Sequence, residues 1–189
     1  RGLEHRMEAV ASADGLHYIN DSKGTNVDSV LAALTGVPAG TTILILGGRD
    51  KHGAFETLKK TAGHTCKAVF CIGEAGPAIS EQLRGIGTPV AVLPDLEAVF
   101  AALPGMAAAG DTVLLSPGCA SFDQYANYEE RGRHFRALVG RCRANDRADA
   151  SHRRKHGAGL AGSRLRRLAR RRPGYRCPRG GGCARFPAQ

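Results

Sequence analysis

Between residues 42 and 139 the chain alternates short, unbroken apolar runs with segments of helical spacing. Residues 42–46, 67–72, 89–93 and 112–115 read as strands, and helical patterns follow near 54–61, 77–84, 96–103 and 127–139. Strands that are apolar throughout must be covered on both faces. A strand–helix repeat then makes a mostly parallel sheet with right-handed crossovers. The expected fold class is α/β, a Rossmann-like sheet with flanking helices.

The first part of the chain adds a different unit. Residues 7–10 and 16–19 are short apolar segments around Asp14-Gly15, a pair suited to the positive φ angles of a tight turn. An N-terminal β-hairpin is expected. Val27, Val30, Leu31 and Leu34 then occupy one helix face, with Thr25 or Asn26 as its cap and Gly36 as its end.

The net charge of +10 divides unevenly along the 189 residues. Residues 1–140 carry 12 Lys+Arg against 15 Asp+Glu, whereas residues 141–189 carry 15 against 2. The basic character therefore belongs to the tail and not to the α/β unit. From residue 143 to 189 arginines stand among Ala, Gly and Pro with little apolar periodicity, so a disordered Arg-rich tail is expected. It can be read as a basic arm for nucleic acid or anionic lipid. It can equally be a solvated extension, or translation through a shifted reading frame. The latter pair is favoured by the abrupt change in composition.

Six cysteines without a CxxC pair, and no secretory segment, suit reduced thiols in a cytoplasmic protein. Cys177 and Cys183 lack a second ligand pair for zinc, and the histidines have no metal-ligand spacing. No metal site is expected in this chain. The chain opens at Arg1 and reads as a piece of something longer.

Ligands of open α/β sheets collect at the carboxyl ends of the strands. The loops there are Asn20-Asp21-Ser22-Lys23-Gly24-Thr25-Asn26, Gly47-Gly48-Arg49-Asp50-Lys51, Gly73, and the segment from Ser116 to Tyr128. Lys23 and Lys51 follow different strands, and two ammonium groups in one crevice favour a dianion or a phosphate. A lone surface cation is the plainer reading of either. Asp21 can accept from a ribose or simply stand at a helix entry. Thr25 and Ser121 can donate to a carboxylate or cap helices. Cys119 has no evident His base and reads as a structural thiol.

These motifs carry a resemblance. Gly2-Leu3-Glu4-His5-Arg6-Met7-Glu8, Asn20 through Asn26, Leu46 through Lys51, and Leu115 through Tyr125 resemble the C-terminal domain of the Mur ligases of peptidoglycan synthesis. Ser121-Phe122-Asp123-Gln124-Tyr125 with Tyr128 is most similar to the D-glutamate-adding branch. The resemblance covers residues 2–140 and implies a domain over 1–142, with 143–189 outside it. It implies an ATP- and Mg2+-dependent ligase that activates a carboxylate as an acyl phosphate, which an amine then attacks. Lys51, Thr25, Ser121, Phe122 and Tyr128 would hold D-glutamate, and Arg6, Asp21 and Lys23 would face the nucleotide. UDP-N-acetylmuramoyl-L-alanine would be the partner substrate, and a monomer is expected. No GxxxxGK[ST] phosphate loop is present. The Mg2+ site is therefore expected on a central domain outside this chain, and no ligase activity is expected from these residues alone. Related amide ligases, such as another Mur ligase or a folylpolyglutamate synthase, and a nucleic-acid-binding protein are the alternatives.

Overall fold

The computed structural model describes the backbone of residues 3–12 and 14–156, with side chains through residue 142. Strands β1 (Glu8–Val10) and β2 (His17–Asn20) form the expected antiparallel hairpin. Helix α1 (Val27–Thr35) follows, and of the two candidate caps it uses Asn26, whose side chain accepts from the Ser29 N–H at 2.8 Å. Strand β3 (Thr42–Gly47) leads through a 3-10 turn (Phe55–Leu58) into α2 (Lys59–Thr65). Strand β4 (Cys66–Ile72), α3 (Gly76–Gln82), β5 (Val90–Leu93) and α4 (Leu96–Ala102) complete the repeat. Strand β6 (Thr112–Gly118) and α5 (Tyr128–His156) close the described chain.

The six strands lie in the order β1-β2-β6-β3-β4-β5, parallel except for β1. Alternate residues of each central strand point to opposite faces, giving two cores. Leu44, Leu46, Val69 and Leu114 pack with α1, α2 and α3. Ile43, Ile45, Phe70 and Leu115 pack with α4 and α5. The second core holds an aromatic trio: Tyr18 and Phe100 stack at 5.8 Å, and Phe135 meets Phe100 edge-on at 5.5 Å. Such pairs each add roughly 0.5–1.5 kcal/mol beyond their area.

Several element boundaries differ from the sequence expectation: the single helix expected near 54–61 is the 3-10 turn followed by α2, which ends at Thr65. Strand β6 runs past Leu115 through Ser116, Pro117 and Gly118. Its pairing with β2 stops at Leu115, and its register with β3 shifts between Ile45 and Gly47. At this bulged strand end Pro117 has no ladder position that requires its missing N–H. Helix α5 continues beyond Val139 to His156, so residues 143–156 are helical where composition suggested disorder. They are rich in Ala and Arg, strong helix formers, and contain neither Gly nor Pro. The rest of the expected tail, 157–189, lies outside the described residues, as do Cys177 and Cys183.

Candidate active site

The loops after β2, β3, β4 and β6 meet at the carboxyl end of the sheet. After β2, the Asp21 N–H donates to Leu115 O at 2.7 Å and the Gly24 N–H to Asp21 O at 2.8 Å. The Asp21 carboxylate accepts from Ser116 Oγ at 2.8 Å and from the Met7 N–H at 3.3 Å. Burial pushes its carboxyl up from the ordinary range, while these two donors and nearby Arg6 act in the opposite direction. Arg6 and Asp21, with Met7, Gly24, Ser29 and Ala33, line a concavity of about 250 Å³. Lys23 is exposed, and its Nζ lies 5.7 Å from the centre of the Tyr128 ring. The loop after β2 is thereby joined to the start of α5, where Ser22 Oγ donates to Tyr128 O at 2.8 Å.

After β3, the Arg49 N–H donates to Ala120 O at 2.8 Å, and the Ala120 N–H returns a bond to Arg49 O at 3.1 Å. That two-way pair ties the Lys51 loop to the Ser121 loop. Asp50 shapes the next turn by accepting from the Lys51 and Gly53 N–H groups at 2.7 and 3.0 Å. The Gly118 N–H donates to Gly24 O at 2.8 Å, bringing the Thr25 loop to the same place.

Capping does not account for the two hydroxyl residues. Asn26 caps α1, and at the start of α5 Asn127 Oδ1 accepts from the Glu130 N–H at 2.8 Å. Ser121 is only 2% exposed, yet its hydroxyl makes no hydrogen bond to any described residue. Thr25, half-buried, has no side-chain partner among the described residues either. Lys51 is exposed, and neither it nor Lys23 forms an ion pair among the described residues. Phe122 is exposed beside Ser121.

One residue of the site, within the stretch that carries the resemblance, was given no role by the sequence reading. Arg131 is 1% exposed and reaches three strand-end loops from α5. Its Nε donates to Ser22 Oγ at 3.0 Å, and its Nη2 to Ser22 O at 2.9 Å and Cys119 O at 3.1 Å. Its Nη1 donates to Gly47 O at 3.4 Å. Burial lowers its pKa to about 10, so the guanidinium stays charged at neutral pH. The signal was an arginine on the apolar face shared with Phe135, Leu138 and Val139. The adjoining Gly132 leaves room for buried His5, since a Cβ there would lie 2.2 Å from His5 Nδ1. Burial pushes the Cys119 thiol up to about 12, which suits a structural role.

The family model described as Mur ligase, glutamate ligase domain, matches residues 5–119. The chain belongs to that family. It is 48% identical over 138 residues to a UDP-N-acetylmuramoylalanine--D-glutamate ligase of Methylococcus capsulatus. That match covers 73% of this chain and 30% of the relative. The same-named ligase of Anaeromyxobacter dehalogenans is 45% identical over 140 residues, again covering 73% and 30%. The chain thus spans about 30% of the length of these curated relatives. Among solved structures, a murein peptide ligase of Psychrobacter arcticus shares the fold with a TM-score of 0.51 at 12% identity, over 74% of this chain and 30% of that one.

Among the described residues no group of three or more His, Cys, Asp or Glu is placed to hold a metal ion. No described helix is long and apolar enough to cross a membrane.

Proposed function

We propose that residues 1–142 form the amino-acid-binding domain of an ATP-dependent ligase that joins D-glutamate to UDP-N-acetylmuramoyl-L-alanine in peptidoglycan synthesis. The observation that carries this reading is the pair of hydroxyls, Thr25 and Ser121, without capping roles or partners among the described residues, on loops tied to those bearing Lys51 and Tyr128. An amino acid with two carboxylates matches that set: Lys51 supplies charge, and the hydroxyls supply directed donors. Tyr128 and Phe122 would form the walls.

The concavity beside Arg6 and Asp21 fits part of a nucleotide, because a carboxylate can accept from ribose hydroxyls while Arg6 and Lys23 offset phosphate charge. ATP, when bound, supplies the phosphoryl group that activates the acceptor carboxylate. This domain holds the amine nitrogen of D-glutamate in line with that centre, so its contribution is orientation. The phosphate loop and the metal site would be supplied by residues outside this chain, acting in the cytoplasm.

The test is to fuse the chain behind the first two thirds of the Methylococcus capsulatus relative and measure amide formation. D-glutamate is expected to react in preference to L-glutamate and other amino acids. Lys51→Ala is expected to lower kcat/KM by about 10- to 100-fold, the equivalent of one lost charge-assisted hydrogen bond. The 189-residue chain alone is expected to form no product. Preference for another amino acid would overturn the D-glutamate assignment in favour of a related amide ligase.

A further inference from the structure

Asp123 stands two residues from Ser121, where a carboxylate would repel the carboxylates of an acidic amino acid unless it were turned to another partner. It is so turned. Asp123 Oδ2 accepts from the Glu74 N–H at 3.1 Å, in the loop after β4. Gly73 beside it adopts φ +68°, and a Cβ there would lie 2.2 Å from Asp123 Oδ2, so both conformation and space demand glycine. Next along the chain, Gln124 Nε2 donates to Pro94 O at 2.7 Å, in the loop after β5. The same carbonyl accepts from the Gly73 N–H at 3.2 Å. Within the turn, Ser121 O accepts from the Gln124 and Tyr125 N–H groups at 3.1 and 2.9 Å.

The turn is therefore pinned at both ends. Ala120 is fixed to the loop after β3, and Asp123 and Gln124 are fixed to the loops after β4 and β5. Ser121 and Phe122 stand between the pins. We propose that Asp123 and Gln124 are positioning residues, which hold Ser121 and Phe122 in place for the amino acid by tethering their turn to the ends of β4 and β5. This rests on the functional reading above for the identity of the ligand, but the tether itself does not.

Two measurements separate the two claims. In the 189-residue chain, Asp123→Ala is expected to speed hydrogen exchange at the Glu74 amide about tenfold, with Ile45 and Phe70 unchanged. Asp123→Asn keeps an acceptor oxygen and is expected to stay near wild type. In the fused ligase, Asp123→Ala and Gln124→Ala are each expected to raise KM for D-glutamate about tenfold, the effect of a displaced contact, with kcat and KM for ATP within about twofold. Unchanged Glu74 exchange, or an unchanged D-glutamate KM in an active fusion, would overturn the inference. So would a fall in kcat accompanied by an equal loss of thermal stability in every variant, Asp123→Asn included. A wild-type fusion inert toward D-glutamate overturns the functional reading instead, and the exchange result still decides the tether.

Discussion

Arg131 brings the chemistry of the site down to one side chain. Its five N–H donors lie in a planar fork, which lets a single group meet Ser22, Gly47 and Cys119 at once. Replacing it by Met would leave those buried carbonyls without a donor. Arg131→Met is therefore expected to lower unfolding stability by about 3 kcal/mol or more, measured by urea denaturation. Lys is expected to restore little, because one ammonium on a flexible stem cannot span three directions. A loss under about 1 kcal/mol would show that water replaces the guanidinium without cost. Asp21, Lys23, Lys51 and Ser121 were legible as strand-end loop residues because each follows an apolar strand in the sequence. The sequence could not reveal the role of Arg131, whose partners lie as many as 109 residues away along the chain.

Between elements, the hairpin and α5 are held by charge. Arg136 donates to Glu8 Oε1 at 3.1 Å and to Glu4 Oε1 at 2.8 Å. Burial tends to raise the Glu8 carboxyl, but the His5 N–H and the Arg136 guanidinium together hold it below the usual value of 4.5. A lowered native pKa means that the unfolded chain binds more protons in this range. The contribution is thus full above pH 4.5 and disappears as pH falls through the lower native value. Thermal unfolding between pH 6 and 3 is expected to show a steeper acid loss for wild type than for Glu8→Gln. Parallel curves would remove Glu8 from the acid response. Helix and strand types were legible here because period and capping chemistry are local. The extension of β6 through Pro117 was not, because it depends on where β2 stops pairing.

For the molecule as a whole, composition and periodicity indicate an α/β layer structure but leave the strand order undetermined. The order β1-β2-β6-β3-β4-β5 inserts the last strand between the hairpin and β3, and pairs His17 with Thr112. By contrast β3, β4 and β5 are successive neighbours. Pulsed hydrogen exchange during refolding is expected to protect β3 and β4 amides before those of β2, since long loops close late. Simultaneous protection would indicate a single concerted nucleus. On the ribosome the same geometry imposes a wait: the hairpin has no seat until about ninety further residues emerge. A nascent chain stalled before residue 112 would expose both β2 and β3 as open edges, able to pair with other stalled chains.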